Sequence, residues 1–143
     1  AVERQWSLRQ RQLCISARLR LVVLVLTTAV LSGCAGLQED DVARVADAFE
    51  DPDAAPADRC ALLAPATLQT LESDESAPCA DVIGQLPLPG GDVEAVEVWG
   101  GAAQVRLGGD TVFLTETPSG WRVTAAACEP RGELPYDCEV EGS

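Results

Sequence analysis

The sequence predicts an α+β fold, helices first and a four-strand antiparallel sheet after them, on three observations. The first is a 3.6-residue apolar period, with Val42, Val45, Ala46 and Phe49 at i, i+3, i+4 and i+7. The second is a series of four strand-like segments after residue 91, parted by glycine-bearing turns. The third is composition: 143 residues, 47% hydrophobic but only 4% aromatic, enough for one domain with a core built mainly of Val, Leu and Ala. Helices and sheet each have one apolar side, so the helical layer is expected to cover one face of the sheet.

The elements follow in order. "DVARVADAFE", 41–50, is the first helix, with Asp residues at its start where they suit the helix dipole. "DPDAAP" breaks it. Asp58 is placed to cap a short second helix carrying Cys60, Leu62 and Leu63, and Pro65 to open a third through Leu68 and Leu71. "SDESAP" is a polar loop, "CADVIGQL" a short helical or irregular piece, and "PLPGG" ends the helical half. "DVEAVEVWG", "AAQVRL", "TVFLTE" and "WRVTAAA" are the strands. Their turns fall at Gly100-Gly101, Gly108-Gly109-Asp110 and Pro118-Ser119-Gly120.

Ahead of the domain the chain has the layout of a secretory precursor. Residues 1–20 hold five arginines against the single acid Glu3, a net charge of +4. Residues 21–31, "LVVLVLTTAVL", form an apolar h-region, short of the ~20 residues a spanning helix needs. From Cys34 onward, five arginines stand against 22 acids, a net charge of −17. Leu31-Ser32-Gly33-Cys34 resembles the lipobox of bacterial lipoproteins, an aliphatic residue and two small ones before an obligatory Cys. That resemblance implies a signal peptide at 1–33 cleaved between Gly33 and Cys34, with Cys34 lipidated. Residues 34–40 are then a short tether and 41–143 the domain, held on the extracytoplasmic face of the cell membrane through the lipid. The alternative is an uncleaved anchor over 21–37.

The composition excludes several function classes. Nucleic acid needs clustered cations, and the acidic body has five scattered arginines and no lysine. Absence of both His and Lys removes most nucleophile–base pairs and Schiff-base chemistry, so no catalytic residue is expected. No metal or other cofactor is expected either: there is no CxxC and no His, and "DPDAAPAD" lacks the glycine and distant Glu of a calcium loop. With Cys14 in the head and Cys34 taking lipid, Cys60, Cys79, Cys128 and Cys138 remain, an even number that reads as two disulfides in an exported domain. Three pairings are open. Cys60–Cys79 and Cys128–Cys138 are favoured, because each is local and they lie in different halves. Arg106 and Arg122 are expected to form ion pairs on the acidic sheet.

"VWGGAAQVRLGGDTVFLTETPSGWRVTAAACEPRGELPYDC", 98–138, with "CALLAPAT" around Cys60, resembles uncharacterised lipoproteins of high-GC Gram-positive bacteria that carry a small NTF2-like, or cystatin-like, domain. The resemblance implies helices cradled by a curved antiparallel sheet, sometimes leaving a conical pocket. Trp99, Phe113, Trp121 and Tyr136 are the candidate pocket or core residues, with Tyr136 expected to pack the Cys128–Cys138 loop against the sheet edge. The leading functional expectation is a non-catalytic module that docks a protein partner in the cell envelope. The alternative is binding of a small apolar ligand in the pocket. A third reading is an enzyme working with paired carboxylates and Tyr136. A filled core favours the first, a dry apolar pocket the second, and two carboxylates within reach in a pocket the third.

Overall fold

A computed structural model describes residues 33–142, and the n-region and h-region expected at 1–20 and 21–31 lie outside the described residues. The lipidation expected at Cys34 concerns a side chain that is likewise outside them. Among the described residues, no helix is long and apolar enough to cross a membrane.

Helix α1, Gly33–Glu50, carries the predicted stripe: Val42, Ala46 and Phe49 have no exposed surface. It begins eight residues before the expected Asp41, so the stretch read as a tether is helical, with residues 36–40 exposed. Ala, Leu, Gln and Glu dominate that stretch and no Pro interrupts it, which suits continuation of the helix. Helix α2, Pro56–Ala61, has Ala55 as its N-cap and Pro56 in its first turn. Asp58 lies in the first turn and is not the cap, because Pro56 already starts the helix where a missing N–H costs nothing. Helix α3, Pro65–Glu75, opens on proline as expected and stops at Ser76, whose backbone is left-handed with φ 53°. Helix α4, Cys79–Val82, runs into a 3₁₀ turn, Ile83–Gln85. The Cys60–Cys79 disulfide ties α2 to α4.

The sheet is a five-strand antiparallel meander in sequential order: β1 Val93–Trp99, β2 Ala102–Leu107, β3 Thr111–Thr117, β4 Gly120–Arg131 and β5 Leu134–Glu141. The first three turns fall where the glycines placed them. The expectation of four strands is corrected to five: β4 continues past "WRVTAAA" to Arg131, and "LPYDCEVE" returns beside it. Pro130, Pro135 and the acidic residues hide this strand from propensity. It is fixed instead by pairing, with Cys128 opposite Cys138 and bridged to it, and by the turn at Gly132, φ 68°. As an edge strand, β5 tolerates Pro135.

One face of the sheet meets the helices. Val105, Val112, Leu114, Val123, Ala126 and Val140 are at most 2% exposed, and Phe49, Leu63 and Ile83 from the helical half pack with them. The α2–α3 connection also joins the sheet directly. Ala64 N–H donates to the Val123 carbonyl at 2.8 Å, and Val123 N–H donates to that of Leu62 at 2.9 Å. Leu63 thereby lies as a short parallel bridge beside β4.

Candidate functional site

The four aromatic residues singled out from the sequence are not brought together. Trp121 is in the helix-facing core at 6% exposure, alternating with Val123 on β4. Phe113 points the other way, since its partners across the ladders are Gln104 and Ala125 while those of Leu114 are Ala103 and Val123. Trp99, at the end of edge strand β1, is half exposed. Tyr136, inside the Cys128–Cys138 loop, packs on the sheet through inner strands rather than at its edge. Its ring meets Phe113 edge-to-face at 5.1 Å, and its hydroxyl accepts from Gln104 Nε2 at 3.1 Å. The long β4–β5 hairpin carries it onto side chains of the inner strands β2 and β3. Neither Arg106 nor Arg122 is ion-paired among the described residues. Among the described residues the ion pairs are Arg44–Asp41 and Arg131–Asp137, both exposed, and Arg122 donates instead to the Trp121 carbonyl.

What the fold does bring together is a buried carboxyl pair, Glu50 and Asp110, that sequence reasoning missed. Glu50 ends α1 and is 5% exposed; Asp110 ends the β2–β3 turn and is 6% exposed. Asp110 is anchored by three backbone N–H groups. Its Oδ1 accepts from Thr111 and, at 2.8 Å, from Cys128; its Oδ2 accepts from Ala127 at 2.8 Å. Ala127 holds φ 52°, a left-handed conformation that turns two successive N–H groups toward one anion, a nest in the middle of a strand. Asp110, just ahead of the start of β3, thus takes over from the β3–β4 ladder where β4 runs on past Ala125.

Glu50 has one fixed partner: Gly90 N–H donates to its Oε2 at 3.0 Å. Its Oε1 is buried with no donor facing it. The carboxyl meets that of Asp110, and two carboxylates cannot share a buried contact unless one carries a proton. Asp110 already accepts three N–H groups whereas Glu50 Oε1 has no partner, so Glu50 is the carboxyl whose protonated form the site favours. Burial first, then the charge and hydrogen bond of Asp110, push the Glu50 carboxyl up from 4.5 to about 7, against lowering by the Gly90 bond and the Arg59 charge. Arg59, 5% exposed on α2, sits close by: its Nε donates to the Phe49 carbonyl at 2.6 Å, and its guanidinium lies 5.7 Å from the Phe49 ring. It caps the C-terminal end of α1, where a cation is favoured.

Two clefts flank the pair. One, of about 320 Å³, is lined by Pro87, Pro89, Asp110, Cys128, Asp137 and Glu139 among others. The other, of about 210 Å³, is lined by Asp47, Glu50, Asp51, Pro52 and Gly91. Both linings are dominated by polar and acidic groups, and Tyr136 belongs to neither. Among the described residues no cluster of three His, Cys, Asp or Glu side chains could hold a metal ion. Both oxygens of Asp110 are bound by backbone N–H groups, so this carboxylate fixes the chain where β4 passes the β2–β3 turn.

The sequence carried one weak signal for this site, the Gly108-Gly109-Asp110 turn, which was legible as a turn and not as an anchor. Compared with protein-family models, with curated proteins and with solved structures, the chain matches none.

Proposed function

We propose that this chain is an extracytoplasmic, lipid-anchored module of the cell envelope, without catalytic activity, that acts by docking a protein partner. The observation that carries the reading is the filled interior. In the NTF2-like or cystatin-like arrangement that the sequence resembles, a ligand pocket would lie between the helices and the sheet. Phe49, Ile83, Leu63, Leu114 and Trp121 occupy that space, each 6% exposed or less. Both oxygens of Asp110 are committed to backbone N–H groups, which weighs against acid–base chemistry by that carboxylate. Anchoring rests on the lipobox around Cys34, and two disulfides suit an oxidising compartment outside the cytoplasm. Trp99, half exposed on an open edge strand, is the residue type that anchors protein interfaces.

Native mass spectrometry of the protein extracted in mild detergent from its own membranes tests the reading. A lipidated chain without a retained small molecule is expected, with a photo-cross-linker at position 99 capturing a protein in intact cells. A small-molecule mass surviving gentle desolvation would overturn docking in favour of ligand binding. Cys34→Ala is expected to move the protein out of the membrane fraction; retention there would support the uncleaved anchor.

A further inference from the structure

We propose that Glu50 and Asp110 form a proton-operated latch that fastens the 86–92 connector to the end of α1 and keeps the two flanking clefts apart.

The connector joins the helical half to the sheet, and it is held from two sides. On the sheet side the contacts are backbone to backbone: Gly109 N–H donates to the Gly90 carbonyl at 2.9 Å, and Gly108 N–H to that of Asp92 at 3.0 Å. The approach is so close that a Cβ on Gly109 would stand 2.8 Å from the Gly90 oxygen. On the helix side the hydrogen bond from Gly90 N–H to Glu50 ties the connector to α1. Glu50 lines one cleft and Asp110 the other, with Gly91 and Pro89 of the connector on either rim.

The charged groups bearing on Glu50 are Asp110 from the β2–β3 turn and Arg59 from α2, while Asp47 and Asp51 of its own helix line the cleft beside it. With the proton in place Glu50 adds no charge to the buried group it forms with Arg59 and Asp110. Loss of that proton to water leaves two anions in contact and one uncompensated negative charge out of solvent, an arrangement proteins avoid. The two carboxylates are not equally free to move. Asp110 is held by three N–H groups from two strands, and Glu50 by one from a glycine connector. Glu50 is therefore the part that yields, turning toward the cleft it lines with Asp47 and Asp51. Gly90 N–H then loses its acceptor, α1 and the connector part, and the clefts join above Asp110.

The test is hydrogen exchange at the Gly90 amide, measured on the full chain in detergent micelles at pH 5, 6.5 and 8 and corrected for the intrinsic rate. With Glu50 titrating at about 7 when latched and 4.5 when free, opening should rise about 70-fold between pH 5 and pH 8. In Glu50→Gln, whose amide keeps both contacts at every pH, protection should stay flat. Parallel profiles in the two proteins, or flat protection in both, would overturn the latch. Carboxyl carbon NMR of Glu50 in the unaltered chain gives an independent reading. An inflection near neutrality is expected, and ionisation complete by pH 5 would overturn the proposal without any variant.

Discussion

Replacing Asp110 with alanine strips the acceptor from three backbone N–H groups at once, those of Thr111, Ala127 and Cys128. Hydrogen bonds to a charged acceptor contribute ~1.5–3 kcal/mol each, and a buried donor left bare costs a similar amount. Part of the loss is recovered by water entering from the cleft that Asp110 lines, and by relief of Glu50, which no longer faces an anion. A net cost of about 3–5 kcal/mol at pH 7 follows, a large share of the ~5–15 kcal/mol by which a small domain is stable. The cost should appear as a lower urea midpoint with an unchanged slope, because the surface exposed on unfolding is the same. Asp137→Ala is the matched control: its carboxyl lines the same cleft, but its side chain is 73% exposed and its Arg131 partner lies at 3.6 Å. Exposed pairs of that kind contribute ~0–1 kcal/mol. If Asp110→Ala costs no more than Asp137→Ala, the three N–H groups do not depend on the carboxylate, and the account of Asp110 as an anchor fails.

Two further outcomes follow from the same geometry. The Glu50 carboxyl is raised from 4.5 to about 7, so its contribution to stability is full below about pH 4.5 and is lost as pH rises through about 7; relative to wild type, Glu50→Gln should be nearly neutral at pH 4.5 and stabilising by roughly 3 kcal/mol at pH 8, read from paired urea titrations in which all other acids cancel. Phe49→Ala empties a fully buried position and removes the ring beneath Arg59, and it should lower stability by ~3–5 kcal/mol, measured by thermal unfolding.

The parts of the fold that were legible in the sequence are those whose cause is local. Val42, Ala46 and Phe49 declare a helical face because a 3.6-residue period is written in consecutive residues, and the glycine turns mark β1 to β4 for the same reason. The favoured disulfide pairs, which the structure forms, were also close in sequence. What was hidden depends on distant partners. Strand β5 has a proline and three acids among its eight residues, and it is a strand only because β4 and the Cys128–Cys138 bridge make it one. Tyr136 looked like a packing residue for its own loop, but the length of β4 carries it to Phe113 and Gln104. Glu50 and Asp110 are the extreme case. Each is one acid among 22, at a helix end and in a turn where acids are ordinarily solvated, and nothing within a short window distinguishes them. Their identity as a pair exists only once the connector is folded between them.

The choice of a carboxyl at position 50 bears on why the pair is there at all. The fold requires at this point an acceptor for Gly90 N–H and a donor toward the Asp110 anion. A glutamine would supply both without titrating, and leucine would supply neither, leaving the N–H bare. Glutamic acid supplies both only while protonated, so it is the less secure solution at neutral pH for stability alone. Buried ionisable pairs are on average no better for stability than well-packed replacements, and their best-attested use is as switches. The filled core and the two disulfides, one of them beside Asp110, hold the rest of the domain independently of the Glu50–Gly90 bond. Placing that junction where α1 meets the connector confines the movement to the rim of two acidic clefts and leaves the sheet, and the Trp99 edge, undisturbed.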